Sequence, residues 1–110
     1  MRFGQRLKKL REEKGISQSQ LAKKLGYVNN GYISDIERGE FVPSDKKLQR
    51  IAKALDVPFS QLKDLVLEIK LKQLGIKEPQ LINLFRDIST LSKKEKKRII
   101  EVYLKIKKKR

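Results

Sequence analysis

Apolar residues along this chain return every three or four positions and are interrupted by short polar breaks marked by Gly or Pro, which is the pattern of a string of helices. Phe3, Leu7 and Leu10 fall on one face of a first helix over about residues 2 to 14, and Gly15 stops it. Ser17 offers an oxygen to the amide of Gln20, and the Gln20 side chain can return a bond to the Ser17 amide, a capping box that opens a second helix ending at Gly26. Asn29 or Asn30 can cap a third helix, which runs to about Arg38 and is closed by Gly39. Pro43 and Ser44 start a fourth that carries Leu48, Ile51, Ala52 and Leu55 until Val57-Pro58 breaks it. Ser60 is expected to cap a fifth, extending to about Gly75.

The fifth helix has two apolar stripes, Leu62, Leu65, Val66 and Ile69 on one and Leu67, Leu71 and Leu74 on the other. One stripe suffices to pack onto a single domain, so the second calls for a further partner: the tail helices or another copy of the chain. Pro79 suits a first helical position, and Leu81, Leu84, Phe85 and Ile88 mark a sixth helix. Ser92 and Glu95 form another capping box, introducing a last helix with Ile99, Val102, Tyr103 and Ile106 on one side. No strand pattern, internal repeat or low-complexity linker interrupts this order, so the expected fold class is all-α.

Composition narrows the chemistry. The 110 residues carry 28 Lys and Arg against 13 Asp and Glu, a formal net charge of +15, and both halves share the surplus. Such an excess favours a polyanionic partner, because each phosphate neutralised releases condensed counterions. There is no Cys and no His, which removes thiolate metal sites, the commonest metal ligand and the commonest general base. With no Gly-rich phosphate loop and no paired acids in a recognisable arrangement, no enzyme, no cofactor and no metal are expected. The start lacks the apolar core of a secretory signal and no apolar run approaches the ~20 residues of a spanning helix, so a cytoplasmic protein without a membrane partner is expected.

Residues 17 to 39 then carry the informative pattern: two short helices joined by a tight turn, with Leu21, Ala22, Leu25, Ile33 and Ile36 able to lock them at a fixed angle. Several linked features surround it. They are Leu10-Arg-Glu-Glu-Lys-Gly-Ile-Ser-Gln18, Leu21-Ala22, Leu25-Gly26, Ile33-Ser-Asp-Ile-Glu-Arg-Gly39, Pro43-Ser44, Leu48 and Ile51-Ala52-Lys53-Ala54-Leu55. Together these make residues 3 to 62 resemble the Cro/repressor-type helix-turn-helix family, also called the xenobiotic-response-element family. The resemblance implies a five-helix repressor-like helix-turn-helix domain over residues 1–62, followed by a helical C-terminal extension over 63–110. It implies a sequence-specific regulator of transcription that binds double-stranded DNA, a repressor in the first instance.

Carried over residue by residue, the resemblance implies base reading by Asn29, Asn30, Gly31, Ser34 and Asp35. Asn can bond the N6 and N7 edge of adenine with both ends of its amide. Asn29 and Asn30 both also suit capping, and one of the two is expected to serve the structure. Phosphate contacts are implied for Ser17, Gln18, Arg38, Lys46 and Lys47, and for Tyr32, whose ring could instead pack between helices. Arg11 and Glu37 align with a partly buried salt bridge between the first and third helices. Three departures stand out: one residue more than the common form between Gly26 and Ile33, assigned to Tyr27; Gly31 where relatives carry a polar reader; and Glu40 where a cation is common. One short recognition helix reads few base pairs, so a homodimer on a palindromic site is expected, joined through the second stripe of helix five and the tail. The alternatives are an antitoxin that also binds a toxin, and a coactivator-type module that holds transcription machinery.

Overall fold

The structure is a computed structural model that describes residues 2–110. Seven α-helices follow one another: α1 (Phe3–Glu13), α2 (Gln18–Lys24), α3 (Gly31–Glu37), α4 (Asp45–Leu55), α5 (Phe59–Gln73), α6 (Pro79–Asp87) and α7 (Lys93–Lys108), with a 3-10 turn at Ile88–Thr90. No strand occurs among the described residues. The chain divides into two compact units, Met1–Gly75 and Ile76–Arg110. The first therefore holds α1 to α5, and the second α6 and α7.

The first unit closes around the periodic apolar residues. Phe3 and Leu7 of α1, Leu21, Ala22 and Leu25 of the α2 region, Ile33 and Ile36 of α3, Leu48, Ile51, Ala52 and Leu55 of α4, and Leu62 of α5 form one buried cluster. Each large aliphatic side chain there contributes about 1.5–3 kcal/mol by leaving water. Leu65, Val66 and Ile69 pack against the same cluster, so the first stripe of α5 lies on the core and the helix runs unbroken through residue 62. Gly4 is buried where α1 meets the end of α3: a Cβ on it would stand 2.1 Å from the Ile36 carbonyl oxygen and 2.9 Å from Glu37 Cα. Only a residue without a side chain lets the two backbones approach that closely.

Local signals set the ends. Ser17 Oγ accepts the Gln20 N–H at 3.0 Å and Gln20 Oε1 accepts the Ser17 N–H at 2.8 Å, the reciprocal box expected at α2. Ser44 caps α4. The start of α5 differs from expectation: the helix begins at Phe59, two residues before a Ser60 cap would start it, with Pro58 in the cap position. The reason is that Pro58, extended at φ −62° and ψ 140°, directs its own carbonyl to the Gln61 N–H and places Ser60 inside the helix.

In the second unit Pro79 occupies the first turn of α6. Ser92 and Glu95 close the box that opens α7, with bonds of 3.1 and 2.8 Å. Those bonds hold the Glu95 carboxyl below the ordinary carboxylate range. α7 buries none of its residues, and Ile100, Val102, Tyr103, Leu104 and Ile106 all face solvent.

Candidate nucleic-acid interface

The turn between α2 and α3 is built by Gly26 and Tyr27. Gly26 takes φ 85°, a left-handed conformation that lets the chain leave α2, and the Tyr27 N–H then bonds the Ala22 carbonyl at 2.9 Å. Ala22 and Leu25 meet Ile33 and Ile36 behind this turn, which seats α3 on the core with its other side outward. Ser34 and Asp35 remain partly exposed on that side, and Arg38 is exposed beyond them.

A chain of polar contacts fixes α3 from its inner edge. Arg11 Nε lies 2.8 Å from Glu37 Oε2 and its Nη2 lies 2.9 Å from Oε1, a two-pronged pair whose side chains are only 8% and 4% exposed. Arg11 also donates to the Ile16 carbonyl at 2.7 Å. The hydrogen bond to Glu37 raises the Arg11 guanidinium above its ordinary value against the opposing effect of burial, so its charge is permanent. Gln18 Nε2 then donates to Glu37 Oε1 at 3.1 Å, and Asn30 Nδ2 donates to Gln18 Oε1 at 3.0 Å. Helix α1, the start of α2 and both ends of α3 are thereby tied in one relay.

The two asparagines hold different positions in it. Asn29 Oδ1 accepts the Gly31 N–H at 2.9 Å and so satisfies the first amide of α3, whereas Asn30 stands in the cap position without a side-chain cap bond. Asn30 keeps a carbonyl oxygen and a second N–H for an outside partner while Gln18 holds its amide in place. Gly31 opens α3 and offers only backbone. Ser34 Oγ and Asp35 Oδ1 both accept from the Arg38 guanidinium, so these three form one exposed group on the outer face.

Tyr32 is turned inward. Its ring centroid lies 4.8 Å from that of Tyr27 and 5.4 Å from that of Phe41, and its hydroxyl is buried without a hydrogen bond. Of the two roles open to it, the structure has the packed one, and a phosphate contact requires the side chain to leave this stack. Burial, followed by the nearby Tyr27, raises the Tyr32 phenol above its ordinary value. Lys47 sits over the same aromatic pair, its Nζ 4.9 Å from the Tyr32 ring centroid and 3.4 Å from Tyr27 Oη. Lys46 and Lys47 are exposed on the first turn of α4, and Glu40 is exposed in the loop before it. Sequence reasoning overlooked Tyr27 and Phe41 as supports of this face. Three aromatics within fifteen residues were the available signal. It overlooked Val28 as well, an apolar residue wholly open to solvent in the turn.

No group of His, Cys, Asp or Glu among the described residues is placed to hold a metal ion, and no helix among them is long and apolar enough to cross a membrane.

The family model for helix-turn-helix (HTH_3) matches residues 7–62. The HTH-type transcriptional regulator SinR of Bacillus subtilis (strain 168) is 44% identical over 63 residues, covering 56% of this chain and 56% of that protein. The immunity repressor protein of Bacillus phage phi105 is 39% identical over 62 residues, covering 56% of this chain and 42% of that one. The chain thus matches about half the length of each of these two relatives. Among solved structures, a chain of the SinR protein/SinI protein complex superposes with a TM-score of 0.51 and 34% identity over 98% of this chain and 99% of that one. This chain belongs to the Cro/repressor-type helix-turn-helix family.

Proposed function

We propose that the protein is a sequence-specific DNA-binding regulator of transcription, a repressor that occludes a promoter by binding a palindromic operator as a homodimer. The observation that carries this reading is α3: buried at Ile33 and Ile36, tied at both ends by the Arg11–Glu37–Gln18–Asn30 relay, and open on its outer side. A rod held at a fixed angle with one face free is what a major groove of about 12 Å requires. Asn30 is the principal base reader, with Gly31, Ser34 and Asp35 beside it and Asn29 holding the helix start. Gln18, Ser17, Arg38, Lys46 and Lys47 line the flanks that meet the phosphates. The similarity to a named repressor and to a named transcriptional regulator supports the direction of regulation.

Dimerisation is supported by the second unit, where Phe85, Ile88 and five large apolar residues of α7 are exposed. An apolar surface of this extent on a helix pair calls for cover. The solved relative's complex with SinI favours a second reading of the same surface, in which another protein takes it. No catalysis belongs to either reading, and the compartment is that of the DNA, the cytoplasm.

Selecting bound sites from random duplex DNA tests the proposal. The expected pool converges on an inverted repeat with half-sites about one helical turn apart. On the selected site Asn30→Ala lowers discrimination at one or two base pairs by about 1–3 kcal/mol. Lys46→Ala weakens all duplexes alike and reduces the salt slope by about one. A pool that never departs from random sequence refutes the function, and a pool of single half-sites refutes the dimer.

A further inference from the structure

Most polar side chains on the outer side of α3 already hold a hydrogen bond within the molecule. Asn29 is engaged with the Gly31 amide, Gly31 has no side chain, and Ser34 and Asp35 both accept from Arg38. The Asn30 amide, held by Gln18, keeps its carbonyl oxygen and one N–H without a partner in the molecule. A single amide distinguishes one base pair, so the turn needs another source of discrimination.

Val28 stands beside it. Its relative exposure is 102%, the highest of the large apolar residues described, so the isopropyl group packs against none of the described residues. Scattered apolar residues on a surface are ordinary. Here the position is not: Val28 lies between Tyr27, packed on Tyr32, and Asn29, bonded to the start of α3, so its backbone is fixed on both sides. With consecutive Cα atoms about 3.8 Å apart, Val28 lies within ~7.6 Å of Asn30, a span of about two base-pair steps. The β-branched side chain has few rotamers to lose on docking. In the major groove only thymine offers an apolar group, its C5 methyl.

We propose that Val28 is a specificity-determining residue that reads a thymine methyl within two base pairs of the base read by Asn30. This deepens the proposed function and rests on it: the operator half-site contains a thymine chosen by apolar contact rather than by hydrogen bonding.

The test replaces each thymine of the selected half-site, one at a time, by deoxyuridine, which deletes the methyl and leaves the pairing edge and O4 intact. For the wild-type protein one such replacement weakens binding by about fourfold, the effect of losing one buried methyl. Val28→Ala weakens the thymine duplex to a similar degree and binds thymine and uracil duplexes alike at that position. Because Val28 packs on nothing, its thermal unfolding matches that of the wild type, which separates readout from folding. A uracil penalty that persists in Val28→Ala overturns the proposal, as does the absence of any uracil penalty, as does a loss in Val28→Ala that is equal on both duplexes. Failure to select any preferred site overturns the DNA-binding function itself, an outcome distinct from all three.

Discussion

Truncating Glu37 to Ala removes the acceptor of three hydrogen bonds: two from Arg11 at 2.8 and 2.9 Å and one from Gln18 at 3.1 Å. The Arg11 guanidinium then loses the bond that raised it but keeps its charge, because a guanidinium is not deprotonated in proteins, and it keeps only the Ile16 carbonyl as hydrogen-bond partner in a place where 8% of its side chain is exposed. Stranding a buried charge in this way costs about 3–5 kcal/mol, against about 0–1 kcal/mol for an exposed pair such as Arg38–Asp35. With a urea m-value of about 1–3 kcal/mol per molar, the midpoint falls by roughly 2 M. Arg11→Ala is expected to cost a similar amount. The pair Arg11→Met with Glu37→Leu removes both charges together and costs ~1 kcal/mol or less, because the desolvation penalty disappears with the attraction. Urea unfolding followed by tyrosine fluorescence completes a cycle with Ala and apolar replacements at both sites, and Asp35→Ala serves as the exposed control. The apolar pair regains stability yet lacks the anchor for Gln18, so Asn30 is no longer held and operator discrimination falls while the fold persists. A coupling energy below about 1 kcal/mol, or a Glu37→Ala midpoint equal to that of Asp35→Ala, refutes the reasoning.

Tyr32→Phe deletes a buried hydroxyl that lacks a partner and keeps the ring between Tyr27 and Phe41, so it raises stability by about 1 kcal/mol, roughly 4–8 °C in Tm. Burial makes the folded state hold the phenol proton more tightly than the unfolded chain, so the wild type keeps its full stability below the ordinary phenol value of 10.0 and loses some as pH rises through it. Thermal unfolding from pH 8 to 11 therefore shows a shallower alkaline decline for Tyr32→Phe, and a lower Tm for the variant at pH 8 contradicts the orphaned hydroxyl. Gly4→Ala reverses the usual gain from replacing a helix Gly: a Cβ 2.1 Å from the Ile36 carbonyl oxygen forces α1 off α3, costing about 1–3 kcal/mol, and an unchanged or higher Tm contradicts the close approach.

What could be read from the sequence follows the range of the interaction that decides it. The capping boxes at Ser17–Gln20 and Ser92–Glu95 close within three residues, so no distant packing chooses their partners, and both are present. The first stripe of α5 needs only a core to lie on, and Leu62 with Leu65, Val66 and Ile69 finds one. Asn29 and Asn30 are chemically alike and adjacent. What separates them is the backbone at Asn30, φ −89° and ψ 8°, together with a Gln18 brought to hydrogen-bonding distance by the packing of α2 on α3. Local chemistry offers no preference between them. Tyr32 was undecided for the same reason: its ring packs against Tyr27 and Phe41, five residues before it and nine after, and only the closed fold brings those rings together.

Val28 shows the limit most clearly. Hydrophobic patterning assigns an isolated valine to the core or to nothing, because the pattern scores burial and has no value for an apolar group that stays outside. The same rule leaves the tail unresolved: Ile100, Val102, Tyr103, Leu104 and Ile106 have the spacing of a packed helix and lie exposed in the single chain. On the reading proposed above, both places are halves of an interface whose other half lies outside this polypeptide, a base edge for Val28 and a second protein surface for α7. Fold is legible from one chain because its driving contacts are internal. Asn29, Asn30 and Tyr32 resist such a reading because distant internal packing decides them, and Val28 and α7 resist it because no internal contact covers them.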